Sequence, residues 1–255
     1  MIEVIMGDSM KIMPALKAKF DMIFLDPPYF DWATGESKPD HKLLSLYTYQ
    51  LLKDEGVAFL CGTIPQLAED WLYWRQLFNI QFELIVDKII GIAPISIRTP
   101  SRTHENIWCL SKKGVNVTEL KLDFRKAVNP IKLSSKRRKL DDSALKIRSS
   151  RGEEMRESVG YPKSIIQAQR VTNRSKEYWH HPTQKPLKLM HLLIKISTDE
   201  GDSILDPFAG SGTTLIAANH LNRSCLGIEI NPEYVQIIKK RLRSEEEWRK
   251  LTQFI

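Results

Sequence analysis

The sequence predicts an α/β protein built on a doubly wound, mostly parallel sheet. Three observations predict it. Apolar runs such as Met22–Leu25, Val57–Cys61 and Cys225–Ile228 are unbroken, as in strands buried on both faces. Segments with helical signals lie between these runs. Asp8, Asp26, Asp206 and Glu229 each stand just past a strand end, at the rim where ligands of such sheets bind.

The elements follow in order. Glu3 to Met6 reads as a strand, and Ser9 to Lys19 as a helix with Ser9 as its N-cap. Met22 to Leu25 is a buried strand stopped by Pro27-Pro28, because proline cannot continue a central strand. Residues 30–40 are rich in Gly, Pro, Asp and Lys and read as a loop. Lys42 to Lys53 is a helix closed by Gly56. Val57 to Cys61 is a strand, Ile64 to Phe78 a helix, and Phe82 to Ile90 and Glu105 to Leu110 two more strands. A basic, Ser-rich stretch without clear period follows. Pro186 to Ser197 is a helix with Pro at its first position, and Ser203 to Leu205 a strand. Thr213 to Leu221 is a helix, Cys225 to Ile228 a strand and Pro232 to Arg243 a helix, with Ser244 to Ile255 as its continuation.

Composition narrows the class. Of the 255 residues 42% are hydrophobic, enough for a sizeable core. The first residues read as a strand, not a signal peptide, and no apolar run approaches the ~18 residues of a membrane span. Cys61, Cys109 and Cys225 lie far apart in apolar stretches and read as buried thiols of a reducing compartment, so a cytoplasmic protein is expected. Charge is uneven. Ser111 to Lys176 holds 18 Lys/Arg and 7 Asp/Glu, a balance of +11 in a chain of net charge +7. One segment therefore carries all the excess positive charge, which fits either a polyanion partner or a solvated insert.

Two motifs carry chemistry. Gly210-x-Gly212 sits between a strand and a helix, where missing side chains admit a ligand to the backbone and the helix N-terminus offers free N–H groups. The third glycine of a dinucleotide fingerprint is absent, since Leu215 takes its place. Glu229 ends the next strand, where an acidic side chain suits ribose hydroxyls. Asp26-Pro27-Pro28-Tyr29 is either a rigid turn or a site. Its prolines fix φ and remove N–H donors, and Tyr29 offers a ring on which a base could stack.

Together these segments resemble one family. Asp206-Pro-Phe-Ala-Gly-Ser-Gly-Thr-Thr214 is similar to the methyl-donor loop of the DNA amino-methyltransferases, and Asp26-Pro-Pro-Tyr29 to their catalytic motif. His181-Pro-Thr-Gln-Lys-Pro-Leu187 and Arg102-Thr-His-Glu-Asn-Ile107 resemble further segments of these enzymes. The order, catalytic motif first and donor loop 180 residues later, is that of their beta group, of restriction–modification type. The resemblance spans nearly everything outside residues 112–176.

It implies a circularly permuted, seven-stranded, Rossmann-like sheet. Residues 1–110 would form the catalytic half, 111–176 a target-recognition insert and 177–255 the donor-binding half. The methyl donor would be S-adenosylmethionine, with no metal; the His180-His181 pair has no further ligands in the adjacent Pro-Thr-Gln-Lys-Pro. Asp26, Pro27, Pro28 and Tyr29 would be catalytic. Asp8, Lys185, Asp206, Phe208, Gly210, Ser211, Gly212, Thr213, Glu229 and Ile230 would hold the donor.

Lys136, Arg137, Arg138 and Lys139 would neutralise phosphates of duplex DNA, and Arg148, Gln167 and Gln169 are candidates to read base edges. Trp32, Thr34 and Lys38 lie in the loop that would close over a flipped base. Asp as the first residue of the catalytic motif favours adenine N6. Cytosine N4, a non-catalytic DNA-binding relative and an RNA or protein substrate are the alternatives. A cognate restriction endonuclease, a homodimer and a prokaryotic or viral source are further implications of the resemblance.

Overall fold

The computed structural model describes residues 1–28, 38–92, 98, 101–127 and 163–252. Its centre is an eight-stranded sheet. The strands are β1 (Ile2–Met6), β2 (Phe20–Leu25), β3 (Leu52–Gly62), β4 (Phe78–Ile92), β5 (Arg102–Lys112), β6 (Ile165–Gln167), β7 (Ser203–Asp206) and β8 (Ser224–Glu229). Their order is β1-β8-β7-β2-β3-β5-β4-β6. The pairs are parallel except β3 with β5 and β4 with β5. The doubly wound, mostly parallel α/β sheet expected from the sequence is therefore present. It has an eighth strand: β6 adds three residues beside β4 at the sheet edge, too few to show a period.

Helices cover both faces: α1 (Ser9–Ile12), α2 (His41–Leu51) and α3 (Ile64–Trp74) on one, α4 (Leu187–Ser197), α5 (Thr213–His220) and the start of α6 (Pro232–Thr252) on the other. The strand period of two sorts β2 between them. Met22 and Phe24 join Leu189, Leu193 and Ala217, whereas Ile23 and Leu25 join Leu44, Leu67 and Trp74. Every residue of β2 is buried, which explains its unbroken apolar run.

Two local expectations are corrected. The helix from Ser9 ends at Ile12 and tightens into a 3-10 turn at Met13–Ala15, because Pro14 has no N–H for a continued α-helix. Its cap is Asp8, whose Oδ1 accepts from the Met10 N–H at 2.9 Å. Gly56 does not close a helix but lies inside β3. There a Cβ would stand 2.6 Å from the Asp21 carbonyl oxygen, so the close approach of β2 demands glycine.

The edge of the sheet away from the rim is tied by buried charge. Asp21, fully buried, accepts from Lys121 Nζ at 2.7 Å, Lys53 Nζ at 2.8 Å and both the backbone N–H and hydroxyl of Ser203 at 2.9 Å. Lys121 also pairs with Asp202 at 2.8 Å. This latch joins the starts of β2 and β7 to the chain just after β5. The basic segment thus begins against the sheet, through Lys121 and Leu120, and returns to it as β6. Lys136–Lys139 and Arg148 lie outside the described residues. Gln167 ends β6 opposite Asp87, and both it and Gln169 are exposed.

Candidate active site

The carboxyl ends of β1, β8, β7 and β2 place Asp8, Glu229, Asp206 and Asp26 along one rim. The loop after β7 is held by its own backbone. Asp206 Oδ1 accepts from the Phe208 N–H at 3.1 Å, and the Ala209 N–H donates to the Ile228 carbonyl at 2.9 Å. Gly210 and Gly212 have φ of 52° and 79°, a left-handed region that glycine enters at no steric cost. A Cβ at Gly212 would stand 2.8 Å from Ile238, and one at Gly210 would stand 2.9 Å from His181 Nε2. Gly212 then caps α5, aiming that helix's N-terminus at the loop.

Glu229 locks this loop from the neighbouring strand. Its two oxygens accept from the Gly210 N–H at 2.7 Å and the Asn231 N–H at 2.8 Å. Met6 and Ile230, beside Gly7 and Glu229, are exposed apolar side chains at 62% and 65%. Asp8 caps α1 from the same end of the rim.

The segment before α4 forms the opposite wall. The Gln184 side chain folds it, accepting from the Trp179 N–H at 2.9 Å and donating to the Glu177 carbonyl at 2.6 Å. His181 meets Tyr234 at a tilted angle with ring centroids 4.5 Å apart, and His180 meets Tyr178 in the same way. Burial, then the nearby Lys185 charge, pushes His181 down to about 4, so its ring is neutral. Lys185 reaches Asp26 Oδ1 at 3.0 Å and Glu105 Oε2 at 3.0 Å.

A cavity of about 30 Å³ runs between these walls, lined by Asp26, His181, Lys185, Asp206, Phe208 and Gly210 among others. One cavity thus joins the Asp26 carboxylate to the glycine loop. The His181 ring overhangs Gly210 within this lining. The residue types suit a nucleoside-sized ligand: a side-chain-free loop, an acidic partner in Glu229 and exposed apolar contacts in Met6 and Ile230.

A family model described as DNA methylase matches residues 20–240. The chain belongs to the DNA methylase family. Among its relatives is the Type II methyltransferase M2.DpnII of Streptococcus pneumoniae, 28% identical over 94% of this chain and 89% of that protein. Another is the DNA adenine methyltransferase YhdJ of Escherichia coli strain K12, 27% identical over 94% of this chain and 82% of that one. Among solved structures, the M1.HpyAVI–SAM complex superposes with a TM-score of 0.61 at 22% identity, over 94% of this chain and 100% of that chain. That likeness concerns the fold.

One residue of the methylase was not singled out in the sequence. Arg241 of α6 is buried and donates to the Ser211 carbonyl at 2.7 Å, while its guanidinium lies over the Trp179 ring at 5.7 Å. It ties the glycine loop to the segment before α4. Nothing distinguishes it in sequence from its cationic neighbours Lys239, Lys240 and Arg243. Lys38, in the loop expected to close over a target base, pairs with Asp70 at 2.6 Å. Tyr29, Trp32 and Thr34 lie outside the described residues.

Proposed function

We propose that this methylase transfers a methyl group from S-adenosylmethionine to the N6 amino group of adenine in a specific duplex DNA sequence, flipping the base to do so. The observation that carries this reading is the single cavity shared by Asp26 and the Asp206–Thr214 loop. The likeness to YhdJ, a DNA adenine methyltransferase, supports adenine over cytosine N4. The likeness to M1.HpyAVI, which was solved as a complex with SAM, supports the donor.

In this reading Asp26 and the Pro27 carbonyl accept the two N–H bonds of the amine. That draws the nitrogen lone pair out of conjugation with the ring and turns it toward the methyl carbon. Pro27 and Pro28 fix the direction of the carbonyl, and Tyr29 stacks on the base, a contact worth ~1–3 kcal/mol. The glycine loop with Phe208, Ser211 and Thr213, together with Asp8, Glu229 and Ile230, holds the donor. The donor, when bound, supplies a methyl group on a sulfonium whose neutral thioether is the leaving group, and the methylated nitrogen gives up one proton to solvent. Catalysis is then positioning and electrostatics, with no covalent enzyme intermediate.

The basic segment, about residues 111–176, faces DNA as the target-recognition part, with residues 1–110 and 177–255 as the catalytic and donor-binding parts. Lys136–Lys139 neutralise phosphates. Three buried free cysteines support a cytoplasmic setting. A cognate endonuclease, and with it a restriction–modification role, fits the likeness to proteins named Type II methyltransferases. Incubation with labelled donor and duplex DNA tests the reading. The wild type labels DNA and Asp26→Ala does not; unlabelled DNA with the wild type contradicts it.

A further inference from the structure

Lys185 was expected to meet the donor, yet its ammonium is shared between two carboxylates. It lies 3.0 Å from Asp26 Oδ1 and 3.0 Å from Glu105 Oε2, and Glu105 pairs in turn with Lys88. All four side chains are largely shielded, between 10% and 18% exposed. The sheet explains the grouping. Asp26, Glu105 and Lys88 lie two residues from Phe24, Ile107 and Val86, which share the core face under α4. Lys185 comes from the loop that enters α4. The apolar face therefore ends at the rim in a row of alternating charge.

Such a row is self-supporting only when complete, because an uncompensated buried charge is strongly disfavoured. Burial raises the Glu105 carboxyl, but Lys185 and Lys88 outweigh it and hold it below the usual carboxylate range. Glu105 is thus a fixed negative charge at any working pH. Lys185 also lines a second cavity of about 130 Å³, with Thr63, Glu105 and Arg170, so it forms a partition beside Asp26.

We propose that Lys185 and Glu105 are positioning residues for Asp26: Lys185 fixes the direction of the carboxylate that meets the substrate amine, and Glu105 fixes Lys185. This inference rests on the role given to Asp26 above. The ammonium holds one Asp26 oxygen at 3.0 Å, a charge-assisted contact that sets the direction of the carboxylate. The Lys185 charge is balanced on its far side by Glu105, which never needs to touch the donor or the base.

Single-turnover rates at saturating donor and DNA, with donor affinity by calorimetry, separate this role from donor binding. Lys185→Met is expected to slow transfer by about 10²-fold, the scale of a small misplacement of a reacting group. Glu105→Gln is expected to slow it by about tenfold, with donor affinity within about twofold of the wild type. Lys185→Arg, which keeps the charge, restores most of the rate. Lys185→Met that weakens donor binding tenfold while leaving the saturated rate intact would overturn the proposal, as would a Glu105→Gln variant with wild-type rate.

A readout free of activity completes the test. In a double-mutant cycle of Asp26→Asn with Lys185→Met, followed by urea unfolding without donor or DNA, the two changes should be coupled about tenfold in the unfolding constant. Additive effects sink the ion-pair relay. Wild-type protein that transfers no methyl group removes the functional reading, whereas an active wild type with additive variants removes the relay alone.

Discussion

Asp206 is a buried carboxylate that must lose its charge or meet a counter-charge. Burial raises it, the Thr214 hydroxyl and Phe208 N–H act against this, and Asp26 and Glu229 add to the rise, leaving it at about 7. For a group raised in the fold, the stability it contributes is full below its unfolded value and is lost as pH rises through about 7. A sulfonium brought into the same cavity favours the charged form. Donor affinity should therefore rise between about pH 6 and about pH 8, with proton release on binding. Calorimetry in buffers of different ionisation enthalpy reads that release, and Asp206→Asn should abolish it. Asp26→Ala should lower transfer by at least about 10²–10³-fold while donor affinity stays within about twofold, measured by rapid quench and by calorimetry. Asp26 and the two glycines were legible in the sequence because their types and spacing announce them. The engagement of Lys185 with Asp26 and Glu105 was not, because its partners lie far away in sequence and are brought near only by the sheet.

Elements were legible where one face or one period dominated. The runs Met22–Leu25 and Val57–Cys61 became the central strands because both faces of each are covered. The start of the chain misled because Pro14 ends α1 after a single turn, despite an apolar pattern that continues. Strand β6 left no pattern at all in three residues. The Asp21 latch could not be read, since its partners Lys53, Lys121 and Ser203 meet only after β2, β3 and β7 align. Burial raises the Asp21 carboxyl, but Lys121, Lys53 and Ser203 outweigh it and hold it well below the usual carboxylate range. The latch therefore stabilises the fold above an unfolded value of ~3.9 and is lost as pH falls below it. Asp21→Asn should cost about 2–3 kcal/mol in urea unfolding at neutral pH, toward the low end for a broken pair because both lysines reach water. The variant should also lose part of the acid sensitivity that the wild type shows below about pH 4.

At the scale of the whole molecule, order along the chain matters less than adjacency in the sheet. The catalytic motif precedes the glycine loop by 180 residues, yet β2 and β7 are neighbours and their ends share one cavity. Charge is divided on the same scale, with the positive excess in the segment between β5 and α4. Replacing Lys136, Arg137, Arg138 and Lys139 together by alanine should weaken DNA binding. It should also flatten the dependence of log affinity on log salt by about 3–4, with the rate at saturating DNA little changed. Fluorescence anisotropy across a salt series measures this; an unaltered slope would remove the run from the interface. Nucleoside analysis of duplex DNA methylated by the purified wild type shows whether the methyl group goes to the adenine amino group. N6-methyladenine as the labelled product, absent with Asp26→Ala, is the predicted result; label found on cytosine alone, or none, would contradict it.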